Sequence, residues 1–193
     1  MNHPTRAVLL ALLLASPLPA LAGDDTTDSA LYTELDLNAY AGSGSFTQEA
    51  YLELAVGDGG VVLWANPYHE SGYTSAVIGI GKTVGNWTFA LGAGQARSDG
   101  TRIAVRSAWL GYETDKTELM LTAERYDNAG PAYWQGYAQR RMGRHFYGLY
   151  GETGVGIGPQ ATFVLNDHLR LRLAVPVADR GDTRAMVSLI LTQ

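Results

Sequence analysis

Short runs with a two-residue period, broken again and again by turn residues, restrict this chain more than any other feature of its sequence. Successive side chains of a strand point to opposite faces, so apolar/polar alternation marks a wall between two different environments. In 31–40, Leu31, Leu35 and Leu37 share one face while Glu34, Asp36 and Asn38 share the other. The segments 49–56, 118–124 and 169–175 repeat the pattern. Nothing after the first residues shows a capped apolar stripe of helical period.

Breaks rich in Gly, Pro, Asn, Asp and Ser fall at 41–45, 57–60, 67–72, 84–86, 97–100, 114–116, 127–131, 142–144, 154–159, 166–168 and 178–182. They divide the chain into about twelve strands, or into eight or ten longer ones if some breaks are bulges. The breaks tend to alternate in length, as external loops and periplasmic turns do in an outer-membrane barrel, and an even count places both termini at one end. The expected fold is all-β, a closed antiparallel up-and-down transmembrane barrel.

Period two serves a soluble barrel equally well, so the outer face has to decide. The segments 74–81 and 87–94 carry no charge on either face, which suits hydrocarbon and not water. Charged residues make up 17% of the chain, against about 25% in ordinary soluble domains. Tyr32, Tyr40, Tyr68, Tyr73, Trp87, Tyr112, Tyr126, Tyr133, Phe146 and Tyr147 lie near expected strand ends, where interfacial girdles belong.

The N-terminus predicts export. Arg6 precedes an apolar run from Ala7 to Ala15, too short to span a bilayer as a helix, and Ala20-Leu21-Ala22 offers a peptidase site. Residues 1–22 are therefore expected to be a cleaved signal peptide and 23–193 a single barrel domain in the cell outer membrane. Lys+Arg number 14 against 19 Asp+Glu, a formal net charge of −5, which argues against nucleic acid as a partner. The chain has no cysteine, so no disulfide, thiolate metal site or Cys nucleophile exists.

Leader, alternating strands, terminal aromatics and a last strand reaching the C-terminus resemble the small outer-membrane β-barrel proteins of Gram-negative bacteria. At about twelve strands, the chain also looks like the small porins for acidic oligosaccharides. The resemblance implies a lipid-embedded barrel, monomeric, with a small hydrophilic solute as its partner. It departs at the C-terminus, where such barrels usually end on an aromatic residue and this chain ends on Gln193.

With the leucines facing lipid, the lumen is expected to carry Glu34, Asp36, Glu53, Glu118, Glu124 and Glu152, together with Arg102, Arg106, Arg141, Arg170, Arg172 and Arg184. Barrel closure should bring Arg170, Arg172 and Arg184 near Glu34 and Asp36. Such charges form either a transverse field that sorts solutes in a narrow channel or a salt-bridged plug. A plugged barrel would have a structural or assembly role, beside a secretion or polysaccharide-export system. Gln135, Tyr137 and Gln139 offer ring and amide surfaces suited to sugars.

Other motifs read more plainly as structure. The segment 76–83 approaches a phosphate-binding loop, with Ala76 replacing the first Gly, but a strand and not a helix follows it. Tyr68-His69-Glu70-Ser71, in an expected external loop, supplies the residue types used by outer-membrane acyl hydrolases that act on lipid A. No further carboxylate stands at the spacing of those enzymes, so a hydrated loop is the simpler reading. His145 and His168 fall at turns far from His69, which disfavours a metal site. No cofactor and no catalytic residue is expected.

Overall fold

A computed structural model describes residues 31–127, 132–177 and 185–193. The expected signal peptide and Arg184 lie outside these residues. The strands are β1 (Leu31–Ala41), β2 (Phe46–Val56), β3 (Val61–Glu70), β4 (Tyr73–Val84), β5 (Trp87–Ser98), β6 (Thr101–Glu113), β7 (Thr117–Tyr126), β8 (Tyr133–Met142), β9 (His145–Glu152), β10 (Gly156–Asn166), β11 (Leu169–Ala174) and β12 (Ala185–Thr192). Each pairs antiparallel with its sequence neighbours, and β12 returns to β1, where Glu34 stands opposite Thr192 and Ala41 opposite Ala185. The result is a closed twelve-strand up-and-down barrel, which leaves no sheet edge unpaired.

Turn chemistry explains the hairpins. Asp99 (φ 48°) and Gly100 (φ 86°) both adopt the left-handed region between the paired residues Ser98 and Thr101, the conformation that suits a two-residue hairpin. Pro67 has no N–H to donate, and β2–β3 pairing lapses between Glu49–Tyr68 and Leu52–Ala65. Asn66 spans the gap, donating through Nδ2 to the Ala50 carbonyl (3.0 Å) and to Glu49 Oε1 (2.8 Å).

The end that carries the start of β1 and the close of β12 is called the near end; the opposite one is the far end. The two longest connections, 127–132 and 175–184, are at the far end. The expected alternation of loop lengths is only partial, because 71–72 and 99–100, also at the far end, are tight turns. The break expected at 67–72 shrinks to Ser71-Gly72, since β3 runs on to Glu70 and pairs there with Tyr73. The break expected at 154–159 likewise shortens, with β10 beginning at Gly156.

The outer wall is apolar. Ile78 is 70% exposed and Leu91 68%, and Leu63, Ile80, Phe89, Leu121, Leu149 and Ile157 are exposed beside them on outward positions. A water-facing wall would hold polar residues there; these match the outward apolar band of a membrane barrel. Most of the aromatics expected in girdles instead face inward: Tyr32, Tyr40, Tyr68, Tyr73, Tyr126, Tyr133 and Phe146 share the lumen side of their strands. Trp87 and Tyr112 do stand together on the outer wall at the near end, ring centroids 4.6 Å apart, with Phe89 stacked on Trp87.

Candidate functional site: an acidic, half-filled lumen

The strand pleat sorts charge by sign. Every Asp and Glu in the described strands has inward parity: Glu34 and Asp36 on β1, Glu49 and Glu53 on β2, Glu70 on β3, Glu113 on β6, Glu118 and Glu124 on β7, and Glu152 on β9. Only Arg141, Arg170 and Arg172 join them among the strand cations. Lys82, Arg97, Arg102, Arg106, Arg125 and Arg140 occupy outward positions.

Most of these carboxylates are held by tyrosine hydroxyls. Residues two apart share a face, so a Tyr-x-Glu segment sets a phenol beside a carboxylate. Tyr32 donates to Glu34 (2.6 Å), Tyr51 to Glu53 (2.5 Å), Tyr68 to Glu70 (3.2 Å) and Tyr150 to Glu152 (2.6 Å). Tyr126 donates to Glu124 in the reverse order. Glu152 collects two further donors, Tyr133 at 3.0 Å and Tyr40 at 3.1 Å.

Contacts across the lumen divide it lengthwise. Near the near end, Arg170 on β11 reaches Glu118 on β7 (3.3 Å), and Gln139 donates to the same carboxylate (2.6 Å). Arg172 lies 3.8 Å from Asp36 and 4.6 Å from the Tyr137 ring centroid. Toward the far end, the Tyr40–Glu152 bond joins β1 to β9. Behind these contacts the lumen is packed, with Phe146, Thr162, Met186, Ser188 and Ile190 fully buried.

In front of them, along β1–β8, lies a cavity of about 790 Å³. Its lining runs from Asn86, Glu113 and Thr192 at the near end to Glu70, Ser98 and Tyr133 toward the far end. Tyr51, Trp64 and Trp109 form an aromatic wall, with Tyr51 nearly parallel to Trp64 and edge-on to Trp109. Trp64 fits because the strands behind it carry glycine. A Cβ on Gly79 would come within 2.4 Å of the Trp64 indole nitrogen, and one on Gly92 within 2.5 Å of its Cζ2. Gly79, within the segment that resembles a phosphate-binding loop, thus makes room for an indole. Lys82 of that segment points outward and donates to the Gly59 carbonyl.

Of the residues expected in the lumen, Glu34, Asp36, Glu53, Glu118, Glu124, Arg170 and Arg172 line the cavity. Glu152 and Arg141 face inward outside it, Arg141 over the Phe146 ring at 4.7 Å. Arg102 and Arg106 do not enter the lumen. They are exposed on the outer wall, because Ile103, Val105 and Trp109 take the inward positions of β6 and pack against Trp64 and its neighbours. Of the arginines expected beside Glu34 and Asp36, Arg172 meets Asp36, whereas Arg170 pairs across the lumen with Glu118. Gln135 and Tyr137 line the cavity and Gln139 is buried in the packed half, where Gln160 and Thr162 both donate to it. Glu49, Glu70 and Glu113 were not among the expected residues; the Tyr-x-Glu spacing marks Glu70 in the sequence itself.

The hydrolase-like group is separated by the pleat. Tyr68 and Glu70 face the lumen while His69 faces outward, so histidine and carboxylate have no common face.

A closed antiparallel barrel with an apolar outer wall and ionisable residues inside has the architecture of an outer-membrane β-barrel. No protein-family model matches the chain, and no curated protein matches it. Among solved structures it is similar to a triple mutant of the Rhodopseudomonas blastica porin, with 10% identity, coverage of 85% of this chain and 99% of that one, and a TM-score of 0.40. It is also similar to the translocator domain of autotransporter NalP from Neisseria meningitidis, with 12% identity, 97% and 94% coverage, and a TM-score of 0.31.

Proposed function

We propose that this protein is an outer-membrane channel for small hydrophilic solutes whose lumen favours cations and neutral molecules over anions. The sign of the lumen carries the reading. Among the described residues, only Asp36 and Glu118 of the inward carboxylates have a basic partner. Glu34, Glu49, Glu53, Glu70, Glu113 and Glu124 line the cavity with no such partner. Charges of one sign in a cleft with low-dielectric walls focus their field and concentrate counter-ions along it. Acidic oligosaccharides, the solutes of the porins this chain resembles, would meet repulsion over most of that path.

Planar-bilayer recording of the purified protein under a KCl gradient tests this. Discrete openings with a reversal potential shifted toward that of K⁺ are expected; a shift toward Cl⁻ would refute the selectivity. A second reading, a non-conducting barrel, is favoured by the packed half behind Tyr40, Tyr137 and Arg172. Failure to observe openings at any voltage would decide for it. Export belongs to the same proposal, and the mature chain recovered from outer membranes should begin at Gly23.

A further inference from the structure

Lumen carboxylates do not neutralise the arginines of the outer wall. At the far end, Arg97 stands directly opposite Arg102 across β5–β6, and Arg106 directly opposite Arg125 across β6–β7. All of them are exposed, on outward positions. Directly opposed like charges weaken a strand pair, and here two such pairs share one strand. Their only carboxylate partner among the described residues is Asp127, 3.4 Å from Arg106, whose side chain remains 72% exposed. At mid-wall, arginine facing hydrocarbon is costly; at the interface the cost nearly vanishes, because the long side chain reaches the headgroups.

We propose that Arg97, Arg102, Arg106 and Arg125 form a binding site for a phosphorylated lipid of the outer leaflet, its phosphate groups lying between the opposed guanidiniums. Three observations bear on this occupant. Guanidinium pairs phosphate in a bidentate fork, and an anion between each facing pair turns repulsion into a shared contact. The patch lies on the wall and not in the lumen, where lipid headgroups reach it laterally. It belongs to the end away from both termini, the one with the longest connections, which is the external end of such barrels. The site rests on the membrane placement of the barrel and not on conduction, so it stands or falls separately from the channel reading.

The test is native mass spectrometry of the folded mature chain in detergent, titrated with lipid A, with enzymatically dephosphorylated lipid A and with inorganic phosphate. Lipid A should be retained and the dephosphorylated form lost. A variant combining R97Q, R102Q, R106Q and R125Q should bind lipid A more weakly by on the order of a thousandfold. K82Q with R140Q, outward cations of the near end, should bind as wild type does. Folding of each variant is checked by its mobility on a gel with and without boiling. If the fourfold variant does not fold, the pairs R97Q/R102Q and R106Q/R125Q replace it, each expected to lose about thirtyfold. Equal retention of both lipids, undiminished binding by the variants, or retention of inorganic phosphate in preference to lipid would overturn the proposal.

Discussion

Tyr51 donates a 2.5 Å hydrogen bond to Glu53, two residues along the same inner face of β2, and Glu53 in turn stands opposite Tyr32, which donates to Glu34. The two carboxylates thus share one corner of the cavity near the near end, without a basic partner among the described residues. At about 7 Å in a dielectric near 80, one such charge contributes about 0.6 kcal/mol to a monovalent cation, close to threefold in partitioning. Combining Glu34→Gln with Glu53→Gln should lower the cation-to-anion permeability ratio severalfold while the barrel stays folded. Reversal potentials under a salt gradient measure this, and an unchanged ratio would remove these carboxylates from the selectivity.

Trp64 and Gly92 make a second coupled pair. A methyl at Gly92 would meet Trp64 Cζ2 at 2.5 Å and Cη2 at 2.8 Å, and overpacking of this kind typically costs about 1–3 kcal/mol. Gly92→Ala should lower the free energy of unfolding, read from urea titration, by that amount. In a Trp64→Ala background the same substitution should cost less, since the indole contacts are gone and the 2.9 Å approach to the Ile78 carbonyl oxygen remains. Simple additivity in the double-mutant cycle would mean that the glycine serves the backbone and not the indole. Trp64→Ala alone should raise single-channel conductance by widening the cavity.

The strand plan was legible because turn and strand chemistry agree. Asp99-Gly100 and its counterparts interrupt the two-residue period, and each expected break coincides with a connection, shortened most at 67–72, 97–100 and 154–159. Facing was legible where leucine stands on one side, as in β1 and β11. In β6 that rule failed: Ile103, Val105 and Trp109 are apolar and inward, Arg102 and Arg106 charged and outward. A barrel with aromatic packing inside and cations at its outer rim inverts the usual polarity over part of its wall. The aromatics misled for the same reason, since tyrosine near a strand end suits a girdle and a hydrogen-bonded lumen equally. The Tyr-x-Glu spacing holds the needed distinction, because a phenol paired with a carboxylate belongs with the ions.

Arg172 and Asp36 are both largely buried, and their side chains lie 3.8 Å apart. Removing one member of such a pair leaves the other charge without compensation, at a cost of about 3–5 kcal/mol, whereas replacing both by apolar residues of similar volume is often close to neutral. Asp36→Leu should therefore destabilise the barrel strongly, and Arg172→Met in the same background should recover most of the loss. Urea unfolding followed by tryptophan fluorescence reads both. A double variant as unstable as the single one would show that Arg172 is held mainly by its Tyr137 contact.

The outer wall gives the most direct test of the membrane placement. Leu91, on the middle of β5, points away from the lumen between Ile80 on β4 and Ala108 on β6. If that surface meets hydrocarbon, Leu91→Arg should cost about 2–4 kcal/mol in folding from urea into phosphatidylcholine vesicles, whereas Ala104→Arg, two positions from Arg102 and Arg106 on the outer face of β6, should cost no more than about 1 kcal/mol. A water-bathed wall would not distinguish the two sites, since exposed arginine is indifferent to its height on such a surface. Equal costs, together with a chain that stays dissolved without detergent, would therefore disprove the membrane placement, and with it the assignment of the carboxylates to a channel interior.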